Sequence, residues 1–297
     1  MIIHPKQPSE KRADFVKALQ TGELLQFPGA YNALVAKLIE KLEFDGLYVS
    51  GGVMANTLGL ADIGLTTQSE VVQMSSDIAK VSSLPTIMDI DTGFGEPMNV
   101  FRTIKEIEYR GLSGCHLEDQ VNPKRCGHLD NKQIVETTEM VKKVRAAVDA
   151  RTDANFQIIA RTDARAKEGL ESTIDRIKAY VDAGATIIFP EALKDEKEFE
   201  AVRKAIDVPL LANMTEFGKS KLLTKQQLKD LGFNIVIYPV TTQRLAMKNV
   251  EDGLTHIKEI GDQIDIVEKM QTRKRLYEVI DYEKYNEIDS SIFNFNI

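Results

Sequence analysis

The chain has 297 residues, with 45 Asp and Glu against 38 Lys and Arg, giving a formal charge of −7 with histidine neutral. Apolar residues make up 43% and charged residues 28%, enough for a sizeable core and too apolar for a disordered chain. An acidic chain is a poor match to nucleic acid or anionic membrane, which both reward a basic surface, and no run approaches the roughly 18 apolar residues that span a bilayer. The N-terminal MIIHPKQPSEKRADF has two isoleucines and then charge, without the longer apolar core of a secretory signal. Two cysteines, Cys115 and Cys126, stand too far apart for a CxxC site and fit a reducing compartment. A cytoplasmic location is expected, with no nucleic-acid or membrane partner.

Short apolar, β-branched runs alternate with longer amphipathic stretches. Strands are predicted at 24–27, 47–50, 86–91, 114–118, 157–161, 186–189, 209–213 and 235–238. Each is nearly all apolar rather than alternating, as expected for a parallel sheet covered on both faces. Helices are predicted at 33–41, 100–109, 132–148, 172–182, 196–205 and 225–231, and Gly46, Gly111, Gly184 and Gly232 each follow a helical pattern and precede a strand. Eight βα units predict a TIM-type (β/α)8 barrel. The rival, a doubly wound sheet, calls for G-x-G-x-x-G after an early strand, and Ser50-Gly51-Gly52 does not match it. No linker composition interrupts the chain, so residues 1–297 read as one domain with a helical extension from about 241. That extension exceeds one closing helix and should dock on its own barrel or a neighbour's.

In a barrel, chemistry gathers where strands end. The predicted strands run into Tyr48, Ser50, Gly51 and Gly52; Asp89, Asp91 and Thr92; His116, Glu118 and Asp119; Arg161 and Asp163; Glu191; Asn213 and Thr215; and, a little further on, Arg244. Asp89 and Asp91, two apart, should share one face of a strand, with Glu118 on the next strand and Asp62 on a loop within reach. Several carboxylates need a compensating cation, and hard oxygen ligands without a histidine cluster suit Mg2+, or Mn2+. The bland alternative is helix capping or pairing with lysines.

Residues 120–128 read as a loop from their Asn-Pro and Gly content. The Cys126 thiol, flanked by Lys124, Arg125 and His128, sits in a positive field that lowers its pKa, and Gly127 permits close backbone approach. Cys115, inside a strand, reads as a small core residue. Arg161 and Arg244 are candidate carboxylate clamps, although Arg161 could equally form a salt bridge to Asp163 or Glu191. Ser50, Gly51 and Gly52 offer backbone N–H groups, and Asn213 and Thr215 offer neutral hydrogen bonds.

Taken together, YVSGG (48–52), DIDTGFG (89–95), HLEDQ (116–120), KRCGH (124–128), ARTDA (160–164), FPEA (189–192), NMTEFG (213–218), YP (238–239) and MQTR-x2-LYE (270–278) resemble the isocitrate lyase/phosphoenolpyruvate mutase superfamily, in its methylisocitrate lyase branch. The resemblance runs from about residue 9 to 285. It implies a barrel whose eighth helix is exchanged between subunits, a homotetramer, Mg2+, and cleavage of a tricarboxylate, (2R,3S)-2-methylisocitrate, to pyruvate and succinate. It further implies Asp89 as the closest metal ligand, supported by Asp91, Asp62 and Glu118; Ser50, Gly51, Gly52 and Arg161 at the pyruvate carboxylate; Glu191 and Arg244 along the substrate; and Asn213 and Thr215 at the succinyl end. Cys126 would be the acid, with His128 also catalytic and Gly127 and His128 beside it at the substrate, and Tyr48 is the candidate base or a hydrogen-bond donor. Isocitrate cleavage, phosphonate or oxaloacetate chemistry on the same barrel, and a non-catalytic scaffold are the alternatives.

Overall fold

The computed structural model describes residues 6–125, 132–218 and 220–294. Eight parallel strands form: β1 (Leu25–Pro28), β2 (Leu47–Val49), β3 (Thr86–Asp89), β4 (Gly114–Glu118), β5 (Gln157–Thr162), β6 (Ile187–Pro190), β7 (Leu211–Asn213) and β8 (Ile235–Tyr238). They match the predicted runs within a residue or two. One arc runs β2-β3-β4-β5-β6 and another β1-β8-β7. Single parallel bridges, Gly29 to Tyr48 and Ile188 to Leu210, join the arcs into a closed barrel. At the seam Gly29 N–H donates to the Tyr238 carbonyl at 2.9 Å and Ala30 N–H to the Tyr48 carbonyl at 2.8 Å. A Cβ on Gly29 would lie 2.1 Å from the Pro239 carbonyl oxygen, so the seam closes only around a glycine.

Around the barrel lie α2 (Ala33–Lys41), α3 (Gly51–Thr57), α4 (Gln68–Ala79), α5 (Pro97–Tyr109), α6 (Thr137–Ala150), the short α7 (Arg165–Glu168), α8 (Leu170–Asp182), α9 (Glu196–Ala205) and α10 (Lys225–Asp230). Their apolar stripes pack on the outside of the sheet, with Val100, Ile104 and Ile107 of α5 and Met140, Val144 and Ala147 of α6 wholly buried. The predicted helix at 132–148 begins only at Thr137. Residues ahead of it are claimed by another partner: Val121 N–H donates to the Gln133 carbonyl at 2.8 Å, and Val135 N–H to the Asp119 carbonyl at 2.8 Å. The chain on either side of 126–131 therefore runs as two antiparallel stalks.

The remaining helix ahead of the barrel, α1 (Pro8–Leu19), buries Lys11, Arg12 and Phe15. Phe15 enters the interior cluster formed by Leu25, Phe27, Tyr48, Ile87, Ile159, Ile187, Phe189, Leu211, Ile235 and Ile237, with its ring 5.3 Å from that of Phe27. Lys11 Nζ donates to the Ala79 carbonyl at 2.8 Å and Arg12 Nε to the Leu112 carbonyl at 2.9 Å, so the plug is bolted to the ends of the barrel elements by charge-assisted bonds.

After β8 come α11 (Thr241–Ile260), a 3-10 turn (Ile264–Lys269), α12 (Arg273–Val279) and α13 (Tyr282–Phe293). Asp281, between α12 and α13, accepts from Lys41 of α2 at 2.6 Å. No residue of α11 is buried, and Leu245, Met247, Val250, Leu254, Ile257 and Ile260 on it are exposed.

Candidate active site

Strand β3 stops at Asp89, and Asp91 lies beyond it in a left-handed turn at φ 48°. The two carboxylates meet, but not through strand alternation. Asp89 Oδ1 accepts from Asp91 N–H at 2.9 Å, and Asp89 Oδ2 from Gly51 N–H at 3.1 Å. Ser50 caps α3 and starts it at once after β2, which brings Gly51 and Gly52 against acidic side chains. A Cβ on Gly51 would sit 2.9 Å from Asp89 Oδ2 and 3.0 Å from Asp91 Oδ1, and one on Gly52 would sit 2.9 Å from Asp62 Oδ2. The glycines are needed where carboxylates close on the backbone.

Lys124, with only 4% of its side chain exposed, spans this group: its Nζ is 2.7 Å from Asp91 Oδ1 and also pairs with Asp62. The sequence reading placed Lys124 only in the field around the Cys126 thiol. Burial works against its charge, but Asp91 and Glu118 outweigh it and hold the ammonium above its ordinary pKa. Burial and the neighbouring Asp89 push the Asp91 carboxyl up to about 6. Asp89 itself is held below its ordinary value: burial opposes this, but His116, Lys124 and Arg161 prevail.

Parallel register sets Asp89 beside His116 and Glu118 beside Arg161. Arg161 gives two bonds to Asp163, Nε to Oδ2 at 2.9 Å and Nη2 to Oδ1 at 3.2 Å. It also lies 3.2 Å from Glu118 Oε2 and 3.4 Å from Glu191 Oε2, with its guanidinium over the Phe189 ring at 5.1 Å. The salt-bridge alternative for Arg161 is thus realised, and a bound anion would share the guanidinium with these carboxylates. Burial raises Glu118 well above the usual carboxylate range despite Arg161, and its Oε1 has no hydrogen-bond partner among the described residues.

On the other side, the Tyr48 hydroxyl and His116 Nε2 are 2.7 Å apart, and His116 meets Phe189 edge-on. Burial lowers His116 to about 4, so its ring is neutral at pH 7. Burial and Asp89 push the Tyr48 phenol well up. Asn213, at the end of β7, donates from Nδ2 to Glu191 Oε2 at 3.2 Å, and Thr215 follows half-buried. Arg244 stands apart from the Arg161 cluster. On the first turn of α11, it donates to the Glu216 carbonyl at 2.6 Å and lies over the Phe217 ring at 5.0 Å. Cys126, Gly127 and His128 lie outside the described residues. Cys115 is fully buried, and burial pushes its thiol up, as a core residue requires.

The donor set tests the expected cation. Asp89 and Asp91 converge on the space that Gly51 leaves open, a Glu118 oxygen without a partner among the described residues lies on the next strand, and Lys124 supplies positive charge between Asp62 and Asp91. All these donors are hard oxygens, which fits Mg2+. Among the described residues no three carboxylate, histidine or thiol groups converge closely enough to hold an ion by themselves.

The phosphoenolpyruvate phosphomutase family model matches residues 15–258. A Corynebacterium glutamicum protein named "Probable 2-methylisocitrate lyase 2" is 53% identical over 97% of this chain and 94% of its own. The Aeropyrum pernix 2-methylisocitrate lyase is 44% identical over 97% of this chain and 93% of its own. Among solved structures, oxaloacetate acetylhydrolase with 3,3-difluorooxalacetate superposes at a TM-score of 0.90 with 32% identity, covering 99% of this chain and all 100% of the other. Phosphonopyruvate hydrolase complexed with oxalate and Mg2+ superposes at 0.85 with 30% identity, covering 94% and 98%. With its acidic strand ends, its closed parallel barrel and full-length likeness to these proteins, the chain belongs to the phosphoenolpyruvate phosphomutase family, in its 2-methylisocitrate lyase branch.

Proposed function

We propose that this lyase cleaves (2R,3S)-2-methylisocitrate to pyruvate and succinate with Mg2+ held at Asp89, supported by Asp91, Asp62 and Glu118, partly through water. The observation that carries the reading is the meeting of Asp89 and Asp91 at Gly51, one strand away from Glu118 and two from Arg161. A tricarboxylate requires both halves of that arrangement, a cation for one end and a guanidinium for another.

Cleavage is a retro-aldol step. The C2 hydroxyl passes its proton to a carboxylate of the acidic cluster, for which Asp91, raised to about 6, is suited, the C2–C3 bond breaks, and charge collects on a succinate enediolate that must then be protonated. Held by Asp89 with Asp91, Asp62 and Glu118, a bound Mg2+ would acidify the hydroxyl and polarise the forming carbonyl. Arg161 grips the pyruvate-side carboxylate together with the backbone at Ser50, Gly51 and Gly52, at the expense of its contacts with Glu118 and Glu191. Asn213, set by Glu191, and Thr215 offer hydrogen bonds to the succinyl end, where charge develops. Tyr48, kept neutral by burial and Asp89, orients the hydroxyl with His116 behind it. Cys126 delivers the final proton, with Gly127 and His128 at the substrate: the carbanion is far more basic than any thiolate. Arg244 reaches the substrate by leaving Glu216.

The unburied apolar face of α11, with Phe217 beside it, borders a groove of about 1020 Å3. Its occupant in this reading is a second copy of the chain, through the helix exchange that builds a homotetramer. Among the described residues no helix is long and apolar enough to cross a membrane.

The test is kcat/KM on three substrates. The expected order places (2R,3S)-2-methylisocitrate first and isocitrate second, separated by about 10- to 200-fold, since a pocket discriminates one methyl group only that far. Oxaloacetate should give no turnover. Preference for isocitrate or oxaloacetate would move the chain to another branch.

A further inference from the structure

Arg161 is surrounded by more negative charge than it can serve. Asp163 takes two of its N–H groups, and Glu118 and Glu191 stand within 3.4 Å. Asp163 is wholly buried, and its position is fixed from behind: its N–H donates to Asp119 Oδ1 at 2.9 Å, and Thr162 Oγ1 donates to Asp119 Oδ2 at 2.7 Å. A fixed, buried carboxylate against one guanidinium would spend most of that guanidinium's charge. A second cation is present. Lys132 Nζ lies 2.6 Å from Asp163 Oδ1, closer than the 3.2 Å from that same oxygen to Arg161 Nη2, and only 5% of the Lys132 side chain is exposed. Lys132 is on the second stalk, ahead of α6, where the antiparallel pairing of Gln120 with Ile134 sets its direction. Were the helix to begin at 132, as the periodicity predicts, this contact would have no such support.

We propose that Lys132 is a positioning residue for Arg161: by sharing Asp163 it holds the guanidinium in its double bond and leaves that guanidinium's charge available to a substrate carboxylate. The inference rests on the proposed reading of Arg161 as the carboxylate clamp. Lys132 itself touches no reacting atom in this scheme. Its loss should weaken binding of the ground state and transition state alike, which raises KM and spares kcat.

The experiment measures the dissociation constant of oxalate with Mg2+ and the KM and kcat for (2R,3S)-2-methylisocitrate. It compares wild type with Lys132→Met, Lys132→Gln and Lys132→Arg, each also on an Asp163→Asn background. Lys132→Met is expected to raise the oxalate constant and KM about tenfold, with kcat changed less than about threefold, and Lys132→Arg to restore both within about twofold. On the Asp163→Asn background, Lys132→Met should add nothing, because the charge it balances is gone. Lys132→Gln carries the same expectation if the methionine variant does not fold. Oxalate binding and KM within twofold of wild type would overturn the proposal. So would a full effect on the Asp163→Asn background, or a fall confined to kcat. If wild type binds oxalate but does not turn over 2-methylisocitrate, the substrate assignment fails while the oxalate constants still decide the role of Lys132.

Discussion

Gly51 is the residue on which the site's geometry turns, because two acidic oxygens occupy the approaches to the space a side chain would fill. Gly51→Ala should keep the fold, since the position opens a helix where alanine is favoured over glycine. It should nevertheless weaken Mg2+ binding by on the order of 10- to 100-fold as the methyl group displaces Asp89 and Asp91. Calorimetric titration of Mg2+ checks this, and wild-type affinity in the alanine variant would deny that these carboxylates share the cation. His116 makes a separate statement about acid stability. It stays neutral in the folded protein down to about pH 4, whereas its ordinary value is 6.5. Between those values the unfolded chain binds the extra proton, so this group's contribution makes stability fall as pH drops from about 6.5 to 4, by up to about 3 kcal/mol. His116→Gln should flatten that part of the curve in chemical denaturation, and an unchanged slope would place the acid sensitivity elsewhere. Asp89, Glu118 and Arg161 were legible at this scale because each directly ends an apolar run. The contacts of Lys124 were not, since a lysine beside a cysteine in a loop gives no sign of the buried acids it will meet.

Among the elements, every strand was readable from its apolar run, and α2 and α9 from their periodicity. The N-terminal plug was not. Helix α1 buries a lysine and an arginine with its phenylalanine, so no apolar stripe announces it. Its signature lies in its start, where Pro8 opens the helix and Gln7 and Glu10 form a reciprocal cap. Similarly, α4 is marked only by the cap between Thr67 and Glu70. The stalk at 132–136 went unread because pairing with residues near 120 is non-local. Helix α11 presents the opposite case, a clear apolar face that the described residues of its own barrel leave unburied. Replacing Leu254 and Ile257 together by aspartate should break the proposed assembly without unfolding the barrel. Light scattering would then give a lower mass than wild type, with retained helical circular dichroism. Equal masses would remove α11 from the interface.

At the scale of the whole molecule, the succession of βα units specified the barrel, and the barrel in turn explains how acids far apart in sequence become neighbours. Closure by single bridges at Gly29–Tyr48 and Ile188–Leu210 completes the ring that carries Asp89, Glu118 and Arg161 on consecutive strands. The left-handed turn that aims Asp91, by contrast, depends on φ values that no residue pattern in DIDTG discloses. The central claim is that this ring works through one divalent cation. The direct measurement is the initial rate of pyruvate release from (2R,3S)-2-methylisocitrate as Mg2+ is titrated into chelator-treated protein, for wild type and Asp89→Ala. The account predicts negligible wild-type turnover without Mg2+, saturable recovery with it, and at least about 100-fold lower activity for Asp89→Ala at every concentration. Full wild-type turnover in chelator, or an Asp89→Ala enzyme as active as wild type, would contradict it.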